Sequence, residues 1–254
     1  MGWHKEPIQG LTQIVEVSAI NKNAGLAFLL ICLVGVSVSS CDEDSISTPR
    51  PADEELLFVS NFSNPLDLED WQIVVTQYGS YDLKYGLLEL ETGYGDELHG
   101  DIAYIFSKDS WEIAEHDTYY VTVQCKVFPS DNEAVTVIGS VCTELGGYMG
   151  YDFGFGIRSS ASGQLLQLAA MGCRHDRPIE QLEGLYEGPH EFMVKLCKST
   201  IWYYYDDTII DMIESTDECT FNIDVLYLAV RIGSLQGGHA VQIDKVKLKR
   251  AKRL

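Results

Sequence analysis

The sequence predicts an all-β chain, a two-sheet antiparallel β-sandwich, and three observations carry that prediction. From 56 to 248, β-branched and aromatic residues alternate with polar ones in short runs, the period-two pattern of strands with one buried face. Gly, Asn, Asp and Pro separate these runs, and no long stripe of helical period interrupts them. The 254 residues, 46% of them hydrophobic, suffice for one large all-β domain, and stacking two sheets is how such a chain buries its apolar faces.

The expected strands are 56–62, 71–77, 87–91, 102–106, 118–128, 135–142, 151–158, 165–171, 190–196, 201–205, 225–232 and 241–248. Asp206-Asp207 and Lys198-Ser199-Thr200 read as turns, so 192–210 becomes a run of hairpins ending in a short return. Within 118–128, Tyr119, Val121, Val123, Cys125 and Val127 share one face, which makes Cys125 a buried thiol.

The N-terminus predicts export. Residues 24–38 form a charge-free apolar run of 15 residues, shorter than the roughly 20 needed to span a bilayer as a helix. That length suits the apolar core of a signal peptide. Val38-Ser39-Ser40-Cys41 follows and resembles a bacterial lipobox, in which Cys41 is lipidated and becomes the mature N-terminus. Asp42-Glu43-Asp44 is similar to the acidic export tag of surface lipoproteins in Bacteroidetes-type bacteria, and the Pro-, Ser- and acid-rich stretch after it reads as an extended tether. The division is therefore a signal peptide over 1–40, a lipidated acidic tether over 41–55 and a folded domain over 56–254. Localisation follows as the cell envelope, outer membrane or cell surface, held by a lipid anchor.

A formal charge of −20 excludes a general nucleic-acid-binding surface, which needs a basic stripe to displace counterions. The one basic run, 245–253, reads as a charged final strand and tail. Five cysteines remain in the domain, Cys125, Cys142, Cys173, Cys197 and Cys219, so at least one lacks an intramolecular partner. A bond between Cys142 and Cys173 is disfavoured, because one intervening strand would hold them about 9.6 Å apart.

Several segments together resemble the concanavalin A-like lectin/glucanase (laminin G-like) jelly-roll domains. They are Asn61-Phe62-Ser63-Asn64-Pro65-Leu66 leading to Trp71, then Gly86-Leu87-Leu88-Glu89-Leu90, then His190-Glu191-Phe192-Met193-Val194 leading to Trp202-Tyr203-Tyr204-Tyr205-Asp206, and finally Val241-Gln242-Ile243-Asp244-Lys245-Val246. Asp207 stands where such hairpins usually carry Gly. The resemblance implies a jelly roll and a polysaccharide ligand. Its laminarinase-like members carry Glu-x-Asp-x-x-Glu on one strand, and this sequence lacks that motif. The nearest acidic runs, Glu89-x-Glu91 and Glu214-Ser-Thr-Asp217-Glu218, read better as solvated carboxylates than as a catalytic pair. The histidines and cysteines form no zinc pattern. A structural calcium ion is the metal that the resemblance allows, with Asp67, Asp70 and Asp244 near the matching chain ends, although these read better as plain turn and strand-end aspartates.

Strand alternation also sorts an outward polar face. With Phe153, Phe155 and Ile157 turned inward, Asp152, Gly154, Gly156 and Arg158 point out, and the glycines leave an open floor. The same sorting sends Thr122, Gln124 and Lys126, Thr136 and Ser140, Gln167, and Tyr227 and Arg231 outward, with Tyr148 at a loop rim and Tyr151, which could join it, placed rather on the apolar side with Phe153. Hydroxyl, amide, guanidinium and aromatic groups of this kind suit sugar recognition, while an ordinary solvated face is the plain alternative. The candidate ligand-binding residues are Gln124, Asp152, Arg158, Gln167, Tyr227 and Arg231. The expected function is a noncatalytic glycan-binding or display module facing a polysaccharide or a cell-surface partner protein. A glycoside hydrolase-like enzyme with an unfamiliar carboxylate site, or a protein–protein adhesion module, are the alternatives.

Overall fold

The computed structural model describes residues 54–252 apart from 77, 94–100, 131–132, 143–152, 161, 171–172 and 235–237. Cys41 with its lipobox and tether, Asp152, Tyr148 and Tyr151 lie outside the described residues. The strands in chain order are β1 (Glu54–Ser60), β2 (Trp71–Val75), β3 (Ser80–Lys84), β4 (Leu87–Thr92), β5 (Asp101–Ser107), β6 (Trp111–Glu112), β7 (Thr118–Val127) and β8 (Ala134–Cys142). Then follow β9 (Phe153–Ser160), β10 (Gly163–Ala170), β11 (Cys173–Arg177), β12 (His190–Cys197), β13 (Thr200–Tyr205), β14 (Thr208–Glu214), β15 (Val225–Ser234) and β16 (His239–Ala251).

These strands build two antiparallel sheets of eight, the sandwich expected from the alternation. Sheet 1 runs β14-β13-β12-β7-β16-β4-β3, with β1 beside β16 beyond the end of β4. Sheet 2 runs β11-β10-β9-β8-β15-β5-β2, with β6 on β15. The core lies between them. Phe155 of β9 meets Phe192 of β12 and Tyr203 of β13 edge-to-face, each ring centroid 5.3 Å away. All three rings are fully buried, and each such side chain contributes roughly 1.5 to 3 kcal/mol by leaving water. Cys125 is fully buried, as its alternation requires, and the apolar surroundings push its thiol pKa up.

Two hairpins turn through left-handed residues, Tyr85-Gly86 between β3 and β4 and Asp206-Asp207 between β13 and β14. Positive φ at both central positions matches the right-handed twist of the flanking strands. The basic run lies on the final strand as expected, with its residues up to 251 inside sheet 1, because β16 is flanked by β7 on one side and by β4 and β1 on the other. Three of its cations face acids of β1: Lys249 lies 2.8 Å from Glu54, and Arg250 and Lys252 both reach Glu55.

Ionic and covalent links close the edge where β11 and β14 end their sheets. Asp211 of β14 sits 2.9 Å from His175 Nδ1 and 2.7 Å from Arg177, both on β11. Cys173 of β11 is disulfide-bonded to Cys219, with Cα atoms 5.8 Å apart. That bond settles the partner of Cys173; the side chain of Cys142 lies outside the described residues.

Candidate glycan-binding cleft

The site is assembled at one end of sheet 2, where β8 begins, β15 ends and the β9–β10 hairpin turns. That hairpin is the serine-rich segment after Arg158. Ser160 Oγ accepts from the Ser162 backbone N–H, its hydroxyl pairs with that of Ser162 at 2.8 Å, and Gly163 completes the turn at φ +122°, where a side chain would be strained. The turn fixes Leu165 opposite Arg158, and Arg158 opposite Val135 of β8. On the far side of β8, Gly233 of β15 faces Val135 and Arg231 faces Val137.

Cross-strand partners share a face, so Arg158, Val135, Gly233, Val137 and Arg231 all point out of the sandwich on one side. Two strand spacings and one two-residue step place the Cα atoms of Arg158 and Arg231 about 12 Å apart. Between and beside them opens a cleft of about 680 Å³, bordered also by Glu133, Ser160, Ser162 and Gln164. The volume is that of a small-molecule or oligosaccharide site. Its borders hold two arginines against one glutamate, a net charge of +1 on a chain of −20. Among the described residues neither guanidinium forms an ion pair, and Arg231 Nε is buried without a hydrogen-bond partner.

Of the residues expected to bind ligand, Arg158 and Arg231 come together in this cleft. Gln167 and Tyr227 share the outer face of sheet 2 but do not border the cleft. The Gln167 amide donates to Asp176 at 3.0 Å and is buried, and Tyr227 lies four residues back along β15. Gln124 is elsewhere. It lies on β7 in sheet 1, where its amide donates to Glu191 at 3.0 Å, and Thr122 and Lys126 share that sheet. Alternation tells which side of its own strand a residue takes, not which sheet the strand joins.

Thr136 points inward, contrary to expectation. It is fully buried and hydrogen-bonds to His239 of β16. The register shifts between Ile138 and Val141, with Gly139 at φ +63°, so a bulge inverts the parity of β8 at this point. Glu133, Ser160, Ser162 and Gln164 escaped the alternation argument because they border turns. The Ser- and Gly-rich break between two apolar runs was the signal that could have found them.

Glu89 and Glu91 lie on β4 in sheet 1, bonded to Gln242 and Ser80. They cannot reach the cleft. Asp67 accepts from the Asn64 N–H and closes the capping box of the 3₁₀ turn Pro65–Asp70, while Asp244 is exposed at a bulge of β16. Among the described residues no three His, Cys, Asp or Glu side chains gather as a metal site.

No protein-family model matches the sequence, and no curated protein does. Solved structures do match the fold. A non-specific endo-β-1,3(4)-glucanase from family GH16 superposes with a TM-score of 0.56 at 10% identity, over 80% of this chain and 93% of the other. An endo-β-1,3-glucanase from Pyrococcus furiosus gives 0.56 at 11%, over 79% and 96%. A laminarinase catalytic domain from Thermotoga petrophila gives 0.54 at 12%, over 80% and 99%. This chain shares with these glucanases the fold of a two-sheet antiparallel jelly roll. At such identities the likeness extends to the fold alone.

Proposed function

We propose that this chain holds a polysaccharide segment in the cleft of sheet 2 without cleaving it. What carries the reading is the content of the cleft. Guanidinium, hydroxyl and amide groups border a floor kept low by Gly233 and Val135, and Glu133 is the one carboxylate among its described bordering residues. Glycoside hydrolysis requires two carboxyl groups, about 5 to 5.5 Å apart for retention or about 6.5 to 9.5 Å for inversion. Calorimetry against a panel of soluble polysaccharides tests binding, and no heat with any of them would overturn it.

Cleavage is the second reading, favoured by the glucanase activities of the structural neighbours. Accumulation of reducing ends during incubation with a bound polysaccharide would establish it and displace the first. We further propose that Cys41 is lipidated and tethers the domain at the cell envelope. Metabolic labelling with a fatty-acid analogue should mark the wild type and spare Cys41→Ala, and equal labelling of both would refute the anchor.

A further inference from the structure

Two arginines share the border of the cleft with a single acid, Glu133. Elsewhere several cations face acids, Lys249, Arg250 and Lys252 on Glu54 and Glu55, Arg177 on Asp211, Lys198 on Asp224 and Lys84 on Asp82, while Lys126 and Lys195 lie over the rings of Phe128 and Trp202. Arg158 and Arg231 have no such partner among the described residues, although carboxylates outnumber cations by about two to one in the sequence. They stand on one face, on either side of β8, with Val135 and Gly233 between them rather than an acid. Arg231 also keeps a buried Nε with no acceptor, a donor already stripped of water. Guanidinium groups present paired N–H donors that match the two oxygens of a carboxylate or the oxygens of a sulfate.

We infer that the cleft selects an anionic polysaccharide, one bearing uronate carboxylates or sulfate esters, with Arg158 and Arg231 as its anion-recognising residues. The inference rests on the proposed polysaccharide-binding role and adds the ligand's charge. The spacing of about 12 Å between the arginine backbones, which is within the combined length of two arginine side chains, suits acidic groups on the same or neighbouring sugar units. Glu133 at the border sets the sign, since it repels the ligand that the arginines attract.

The test is calorimetric titration of the full chain with three oligosaccharides of similar length: a neutral β-1,3-glucan, an oligogalacturonate and a sulfated galactan. Binding of either anionic oligosaccharide at least tenfold tighter than the neutral one is expected, and which of the two binds names the acidic group. Arg158→Gln and Arg231→Gln should each weaken that binding about 10- to 100-fold, the scale of one lost charged hydrogen-bonding partner. Glu133→Gln should tighten it, a gain that misfolding cannot imitate, and raising the salt from 50 to 500 mM should weaken it. Equal binding of neutral and anionic oligosaccharides, or arginine variants that bind like wild type, overturns the inference while leaving polysaccharide binding intact. Absence of binding to all three overturns both.

Discussion

Thr136 on β8 and His239 on β16 are hydrogen-bonded to each other across the interior, the hydroxyl to the ring Nε2, joining the two sheets beside the buried Thr92–Ser234 pair, which does the same. The other ring nitrogen, Nδ1, is buried with no partner, so a proton added there would find no acceptor. Desolvation accordingly lowers the His239 pKa to about 4. Because the folded-state value lies below the unfolded one, the unfolded chain takes up the proton first as pH falls. The stability tied to His239 is complete above about pH 6.5 and is lost as pH drops through 6.5 towards 4, by at most about 3 kcal/mol. Denaturant unfolding of wild type and His239→Gln from pH 7.5 to 4 should show a steeper loss in the wild type. Parallel slopes would refute the assignment.

The disulfide between Cys173 and Cys219 closes a loop of sequence separation 46 and pins the edge strand β11. A loop of that length constrains the unfolded chain enough to stabilise the fold by about 4 kcal/mol. Thermal unfolding should therefore begin earlier in reductant and in Cys219→Ser. Asp211→Asn in the same background should lower the midpoint again, because it weakens the contact to Arg177 from the neighbouring edge. An unchanged midpoint in reductant would mean that the bond constrains nothing.

The turn at Asp206-Asp207 separates two roles within one dipeptide. Asp206 accepts from the Glu191 N–H at 2.9 Å and holds His190 Nδ1 at 2.6 Å, whereas Asp207 has φ +64° and an exposed side chain that bonds to none of the described residues. Asp207→Gly relieves the left-handed strain at a smaller cost in unfolded-state entropy, for a net gain of about 0.5 to 1 kcal/mol. Asp206→Gly should instead destabilise, because it removes both bonds. Chemical denaturation of the two variants checks the sign of each.

The strands that sequence revealed and those it hid differ in what fills their inner faces. β7 and β9 bury Val, Tyr, Phe and Ile at every second position, and their alternation was plain. β11 is Cys-Arg-His-Asp-Arg, and its inner face is made of His175 and Arg177 satisfied by Asp211, a pattern with no apolar period to read. β3 is an edge strand whose Tyr81 remains half exposed, so burial never imposed a pattern on it. The cleft was legible in half. Arg158 and Arg231 lay on outward positions of two strong strands, but their meeting across β8 depends on a sheet order set by long-range pairing, and Gln124 went to the other sheet for the same reason.

Arg231 sets stability against binding. Its Nε is buried without an acceptor, and an unsatisfied buried donor costs about 1 to 3 kcal/mol in the folded state. Met has a similar reach and no polar atom to satisfy, so Arg231→Met should raise the midpoint of thermal unfolding in the absence of ligand, by the equivalent of about 1 kcal/mol. The same substitution removes a donor from the cleft and should weaken binding of an anionic oligosaccharide at least tenfold. A merely structural arginine would lose stability on replacement and leave binding untouched. Calorimetric unfolding of the free variant, followed by titration with the oligosaccharide, separates the two outcomes, and a variant that is less stable yet binds as well as wild type would assign Arg231 to the scaffold.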